Sequence, residues 1–552
     1  MPQVKLNKKV FEKLVGKKLP DAKLKDRISY LGTDLDSIDN NEINVEIFPN
    51  RPDLLSEQGF ARAFSSFIGV KTGLKEYKVN KSNYKLIVEK SVSKIRPYTA
   101  CAVIKNLKMD DEKIREIIQI QEKLHITFGR NRKKMAIGIY PMEKINFPIR
   151  YLAKSPQEIK FKPLEFPRVI TGHQILSQHP TGRDYGHLLE GYDKFPIFID
   201  AKEKILSMPP IINSHDVGKI SNQTKDVFIE CSGFDFSVLS QCLNIIVTAL
   251  ADMGGSIYEI KLEYLKEKYV TPNLKPRKEK IRLDYVNKYL GLNLKEKEMK
   301  ELLEKMGYGY SKGNVLVPAY RSDILHEIDF VEDIAIAYGY ENFKAEIPNV
   351  ATIGQEDHEQ ILINKIADIL IGFGLLEVNT YNITNKFNQS ERMNAKISVI
   401  ELANALTVDY DALRTWVIPN LIQVLSDNKH NEFPQKIFEV ATCFKKNEKE
   451  DTNVSEFKRL AVLLTHATAD YTEIRQIFDA LMSALDLKYE VSEVEHPSFI
   501  SGRVGRVKVE GKDIAYIGEI HPQVLENWDL DYPIVAFELN ITEIVKIILA
   551  KE

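Results

Sequence analysis

Cysteine is scarce in this chain of 552 residues. The four present (Cys101, Cys231, Cys242, Cys443) lie far apart, with no C-x-x-C pair and no histidine at zinc-finger spacing. That excludes a disulfide framework and a finger-type zinc site, and leaves each cysteine as a small apolar core residue. Long hydrophobic runs are missing too. The best stretches, Cys242 to Leu250 and Ala367 to Leu376, are interrupted and well short of the ~20 residues a bilayer helix needs, so no membrane span is expected. The first residues alternate lysines with Val4, Leu6, Val10, Phe11, Leu14 and Val15 instead of forming the unbroken block of a signal peptide, which leads to the expectation of a cytoplasmic protein. Charge of one sign is not in excess: 76 Lys plus Arg face 78 Asp plus Glu, a net charge of -2. Any nucleic-acid contact must therefore come from local patches. Four common catalytic signatures are absent: G-x-x-x-x-G-K-[ST], G-x-G-x-x-G after a strand, H-E-x-x-H and G-x-S-x-G. Nucleotide-cleaving and hydrolytic centres of those kinds are excluded.

What is present is a globular composition, 44% hydrophobic and 28% charged, at a length that suggests about four domains. The expected fold class is α+β multidomain. Residues 1–85 read as an N-terminal α/β domain. An alternating strand through Ile43, Val45 and Ile47 stops at Pro49, and Asn50-Arg51-Pro52-Asp53 carries turn chemistry before a helix that starts near Ser56. Arg51 and Asp53 are either a structural corner or a ligand contact. Residues 86–270 read as an α+β domain. Its helix over Lys113 to Leu124 leads through the cationic loop Phe128 to Lys134 into a strand at Met135 to Tyr140. That loop either holds an anion or is simply solvated. The run Ile205 to Ser214, with two prolines, reads as a pocket floor, because proline cannot donate to a strand ladder.

A linker is expected at Lys275 to Lys280. Residues 271–348 read as a winged-helix-like module, with helices followed by a glycine-punctuated hairpin through Gly307, Gly309 and Gly313. Residues 349–552 open on a long amphipathic helix and continue in strands at Lys436 to Val440, Leu460 to Leu464, Arg506 to Val509 and Ile534 to Leu539. That order points to an antiparallel sheet with helices against it.

The sharpest local pattern is Arg321 to Ala335. Ile328, Val331 and Ala335 share one helical face, and Asp329, Glu332 and Asp333 stand at i, i+3 and i+4 on a neighbouring one. Asp323 precedes them as a fourth oxygen donor, a set that suits Mg²⁺. The same spacing equally describes a solvated acidic first turn stabilised by the helix dipole.

Several stretches taken together carry a family resemblance: Phe48 to Ser56, Ser207 to Ser214, and Arg321 to Tyr340 with its closing Ile336-Ala337-Tyr338-Gly339-Tyr340. In the last third they are joined by Asn404-Ala405-Leu406, Ala412-Leu413-Arg414-Thr415, Pro419, Lys436-Ile437-Phe438-Glu439, Gly518 to Pro522 and Phe537-Glu538-Leu539. In this order the chain resembles the beta subunits of phenylalanyl-tRNA synthetases, in their shorter archaeal and eukaryotic form. The resemblance implies an alpha partner in an alpha2beta2 tetramer, tRNA(Phe) as substrate, and ATP-dependent synthesis on the alpha chain. It also implies that residues 349–552 form a degenerate class II synthetase-like domain. In agreement, the glycine-rich third class II motif is missing, and Arg414 stands in a Leu-Arg-Thr context. The family's Mg²⁺ site, shared with alpha, transfers to Asp323, Asp329, Glu332 and Asp333. Its editing domain, which hydrolyses tyrosine misattached to tRNA(Phe), transfers to 86–270, with candidates Leu206, Asn213, Ser214, Thr224 and Glu230. Two other readings fit the residues: a freestanding RNA-binding scaffold, and an independent aminoacyl-tRNA deacylase using only the middle domain.

Overall fold

The computed structural model describes residues 2–351 and 353–550. The chain is a mixed α+β protein built on several sheets, and it divides into two compact units, Met1–Ile347 and Pro348–Glu552.

The first unit opens on a three-stranded antiparallel sheet with Glu42–Glu46 between Gln3–Asn7 and Asp34–Ile38. Period-two alternation decides its buried face: Val4 opposes Val45 and Leu6 opposes Ile43, all fully buried. The Asn50–Asp53 corner leads into helix Glu57–Phe67, which Ser56 caps by accepting the Gly59 N–H at 3.0 Å. Gly59 is dictated by that corner, since a Cβ there would stand 2.0 Å from the Asp53 carbonyl oxygen. Phe60 and Phe64, one turn apart, pack on Phe11 at 5.8 and 5.4 Å between ring centroids.

The middle of this unit stacks two sheets. One has seven strands, with Ile212–Asn213 and Lys268–Thr271 at its edges, and the other has five, centred on Tyr98–Lys105 and Val227–Gly233. Cys101, Val103, Tyr140 and Phe228 of the smaller sheet meet Leu86, Tyr151, Phe198 and Leu206 of the larger one. The alternate residues Ala100, Ala102, Ile104, Ile137 and Ile229 point the other way, onto helices Asp111–Ile126 and Phe236–Asp252. Strands buried on both faces explain why these segments read as continuous apolar runs.

Two expectations are corrected here. Lys275 to Lys280 is not a plain linker: Arg277–Lys280 is an edge strand paired with Asn314–Val317. An edge strand with solvent on it carries charge without cost, so its sequence imitates a linker. Ile205 to Ser214 is a regular hairpin, in which Ile205–Met208 pairs with Ile212–Asn213, although the run does line a cavity, through 209–213. Its prolines, 209 and 210, occupy the turn, where no ladder donor is needed. The unit closes with helices Leu283–Leu290, Glu296–Lys305 and Glu327–Tyr338 around a three-stranded sheet.

The second unit is a seven-stranded sheet, antiparallel except for the parallel edge strand Leu376–Glu377. Along Leu460 to Leu464 alternate residues enter two different cores. Leu460, Val462 and Leu464 meet helices Tyr471–Ala484 and Ile541–Leu549, whereas Ala461 and Leu463 meet helix Ile418–Asp427. Helix His358–Gly372 buries only Ile366 and Leu370 fully, and leaves Ile371 exposed. Among the described residues no helix is long and apolar enough to cross a membrane. All four cysteines are buried and free, with the Cys231 and Cys242 sulfurs 3.9 Å apart.

Candidate functional site

A cavity of about 100 Å³ lies between helix Asp111–Ile126, strand Met135–Pro141 and the 205–213 hairpin. Asn213 and Glu230 line it, together with His125 and Arg132. The Tyr140 hydroxyl lies 3.1 Å from Glu230 Oε1 and 3.3 Å from Asn213 Oδ1, and its single proton serves one at a time. Burial pushes the Glu230 carboxyl up to about 8, against the opposing pull of the Tyr140 hydrogen bond and the Arg96 cation. It is therefore mostly protonated at neutral pH; the nearby Ser232 hydroxyl also pulls against the shift, and among the described residues Oε2 makes no hydrogen bond of good geometry. A neutral carboxyl with one uncommitted oxygen can donate to, or accept from, a polar group placed in the cavity.

His125 accepts the Ile137 N–H on Nε2 at 2.8 Å, which leaves Nδ1 to face Glu122 at 3.4 Å. Burial lowers its pKa, so the ring is neutral and acts as a brace. Arg132 donates to the Pro210 and Ile211 carbonyls at 3.2 and 2.8 Å and lies over the Tyr185 ring. The cationic loop thus spends Arg132 on holding the hairpin, while Arg130, Lys133 and Lys134 remain exposed.

The structure brings only part of the expected set together. Leu206 is buried between the two sheets, and its carbonyl accepts the Ser214 N–H at 2.7 Å. Ser214 is buried and leads into the short helix His215–Gly218. Thr224 is buried away from the cavity, where its hydroxyl donates to Glu143 at 3.2 Å. Tyr140 and His125 were missed in the sequence, and Arg132 was read only as part of a loop that holds an anion or is solvated, although a tyrosine closing an apolar strand and a glutamate inside Phe228-Ile229-Glu230-Cys231 are both signals. Gly138 is the other one: a Cβ there would stand 2.1 Å from the Tyr140 hydroxyl oxygen and 2.5 Å from Glu230 Oε1.

The acidic motif folds as helix Glu327–Tyr338, and its carboxylates separate into two pairs. Arg321 lies behind the helix, donating to Asp323 at 2.8 and 2.6 Å and to Asp333 at 2.6 Å. Asp333 also takes the Tyr308 hydroxyl and is 5% exposed. It sits on the buried face because Phe330, Val331, Ile334, Ala335 and Ala337 surround it, a wider apolar arc than the three-residue stripe the spacing suggested. Ile328, expected on that stripe, is exposed. On the outer side Asp329 folds back to accept the Leu325 and His326 N–H groups at 2.7 and 2.8 Å. Glu332 is exposed and accepts the Tyr340 hydroxyl at 2.9 Å. The expectation of four gathered carboxylates is corrected for the chain by itself: among the described residues no three His, Cys, Asp or Glu side chains are grouped to hold a metal ion. A divalent cation is fitted only in part, by the second oxygens of Asp329 and Glu332.

In the second unit Arg414 is 2% exposed and fully engaged. It reaches Glu439 at 2.9 Å, the Thr442 carbonyl at 2.8 Å, Thr380 Oγ1 at 2.9 Å and Asn382 Oδ1 at 2.6 Å. Glu538 similarly accepts the Val417 and Ile418 N–H groups and pairs with Arg459. These buried charges of the sheet bind its own loops.

Two family models match the chain: the tRNA synthetase B5 domain over residues 279–340, and the phenylalanyl tRNA synthetase beta chain CLM domain over 344–541. The phenylalanine–tRNA ligase beta subunit of Pyrococcus abyssi is 41% identical over 549 residues, which cover 98% of this chain and 99% of the relative. That of Archaeoglobus fulgidus is 40% identical over 550 residues, 98% of each. The crystal structure of an N-terminal fragment of the phenylalanyl-tRNA synthetase beta subunit from Pyrococcus horikoshii superposes with a TM-score of 0.59 at 39% identity. It covers 61% of this chain and 99% of the fragment.

Proposed function

The chain belongs to the phenylalanine–tRNA ligase beta subunit family, and from that premise we propose that it acts in the cytoplasm as the non-synthetic half of an alpha2beta2 ligase that charges tRNA(Phe). ATP is consumed on the alpha chain. The observation that carries this reading is the Arg414 site: all of its guanidinium nitrogens are bound by Glu439, Thr380, Asn382 and Thr442 of the same unit, which leaves no cation there for a triphosphate. The same unit displays apolar side chains that a monomer has no use for, Leu406 and Val408 among them. They suit a face covered by alpha.

The middle domain, 86–270, is proposed to clear tyrosine from tRNA(Phe). A pocket shaped for phenylalanine rejects an added hydroxyl only by about a hundredfold, so a second site must read that hydroxyl directly. Glu230, neutral and with a free oxygen, supplies the reader, and Tyr140 and Asn213 fix its orientation. Leu206 and Ser214 support the hairpin from behind, and Thr224 steadies the 219–226 loop.

A Mg²⁺ ion is proposed on the outer side of helix Glu327–Tyr338. Asp329 and Glu332 would hold it, with the remaining donors from alpha, and it would screen acidic groups across the subunit boundary. Asp323 and Asp333 join that set only if Arg321 releases them.

Reconstitution tests the whole reading. The chain alone should give no phenylalanine-dependent pyrophosphate exchange, and adding alpha should restore both charging and clearance of Tyr-tRNA(Phe). Amino-acid activation by the chain alone would overturn it.

A further inference from the structure

A second and larger cavity, about 520 Å³, lies in the first unit, away from the hairpin and the outer side of the acidic helix. Segments distant in sequence build it: the Asn50–Asp53 corner with helix Glu57–Phe67, the chain at 71–75, the end of helix Phe236–Asp252, Met306–Gly307 and Tyr320–Arg321. Its walls hold three guanidiniums. Arg51 pairs with Asp53 at 2.8 Å and Arg62 with Asp252 at 2.8 Å, while Arg321 is turned to Asp323 and Asp333. Lys13, Lys71 and Lys75, all exposed, stand at its rim. Six cations line the cavity against the carboxylates Asp53 and Asp252. Counting Asp323 and Asp333 behind Arg321 still leaves an excess of two positive charges.

Two buried atoms show what the cavity lacks. Among the described residues Arg321, 3% exposed, has an Nη1 with no acceptor, and Gln58, 5% exposed, has an Oε1 with no donor. A buried polar atom left unpaired costs about 1–3 kcal/mol, more on a cation. Arg51 is the neighbour of Arg321: burial and the Arg321 charge both work against the Arg51 guanidinium, but Asp53 and Asp323 outweigh them and hold its pKa above the ordinary arginine value. An anion beside Arg321 would give Nη1 its missing acceptor. It must also carry a donor for Gln58, and the volume is far greater than a lone oxyanion fills.

We propose that this cavity binds a phosphate-bearing small molecule of nucleotide size, with its phosphate on Arg321 and the rim lysines and a hydroxyl or amine on Gln58 Oε1. Phosphate matches the doubly positive excess and the guanidinium fork better than a single carboxylate does. The site is separate from ATP turnover, which the family reading places on alpha.

Titration calorimetry on the full chain without alpha, at constant ionic strength, tests the proposal with pyrophosphate, ADP and adenosine. ADP should bind one to one, pyrophosphate more weakly, and adenosine not at all. Gln58→Leu removes the acceptor oxygen and with it the contact to the ligand's hydroxyl or amine. It should weaken ADP about three- to tenfold, the worth of one neutral hydrogen bond, without lowering the thermal midpoint, because the unpaired buried oxygen goes with it. Lys71→Glu, on the exposed rim, should weaken ADP in the same direction. The proposal is overturned if no phosphate compound saturates, if adenosine binds as well as ADP, or if pyrophosphate binds and ADP does not. Unchanged ADP affinity in both variants also overturns it, as does tRNA binding that needs Lys71 while the small anions fail.

Discussion

The Tyr140 hydroxyl meets the Glu230 carboxyl at 3.1 Å, directly over a residue with no side chain, Gly138. Adding a methyl group at 138 would intrude on both partners. Gly138→Ala should therefore separate Tyr140 from Glu230 and destabilise the fold by about 1–3 kcal/mol, the usual result of overpacking a closed core. Clearance of Tyr-tRNA(Phe) by the reconstituted complex should fall sharply while charging persists. Equal loss of both activities would point to general misfolding.

A pH dependence follows from two buried carboxyls and a half-buried one. Glu230 and Glu57 are each raised from 4.5 to about 8, mainly by burial, with the Glu116 carboxylate adding to the effect at Glu57. Glu116 is raised to about 7 by its own burial. Each binds its proton more tightly folded than unfolded, so its stabilising contribution is complete below 4.5 and is lost as pH rises through 7 to 8. Urea unfolding should show a midpoint that falls across that window. Glu230→Gln and Glu57→Gln should each flatten the slope. At position 57 the amide oxygen so introduced can still accept the Asn7 N–H that Glu57 takes at 2.7 Å.

The two halves of the acidic motif should behave differently. Asp333→Ala leaves Arg321 a buried cation short of a partner, and breaking such a pair costs about 3–5 kcal/mol. Chemical denaturation measures that loss. Asp329→Asn with Glu332→Gln keeps an acceptor oxygen at the helix start and removes one half-buried and one exposed charge, so the loss of stability should stay within about 1 kcal/mol, the worth of a carboxylate at a helix N-terminus. Mg²⁺-dependent association with alpha should nevertheless weaken. If association and metal affinity are both unchanged in the double variant, Asp329 and Glu332 hold no ion.

How far these features were legible in the sequence depends on their range. Local signals carried well: the Asn50–Asp53 turn, the helix start near Ser56 and the strand Leu460 to Leu464 all read directly, because neighbours in sequence decide them. The edge strand at Arg277 did not, since strand pairing with Val317 is a long-range contact and solvent on the strand removes the apolar alternation. Asp329, Glu332 and Asp333 are one turn apart, yet spacing cannot say which of them meets Arg321. That is settled by packing of Phe330 and Ile334 around Asp333. The Tyr140, Gly138 and Glu230 arrangement needs the register Gly138 opposite Glu230, which no single segment encodes.

Leu406, fully exposed, and Val408, nearly so, stand on the segment between strands Ile400–Glu401 and Ala412–Leu413. Neither supports the core of its own unit, so Leu406→Asp with Val408→Asp should leave the thermal midpoint unmoved. If alpha covers this face, the substitutions bring two carboxylates into a desolvated interface, where an unpaired charge costs about 2–5 kcal/mol, roughly 30-fold or more in affinity. Analytical ultracentrifugation of the mixed subunits should then show dissociated chains at concentrations where wild type is fully assembled, and charging should recover as protein concentration is raised. Assembly at wild-type affinity would place the alpha contact on another face.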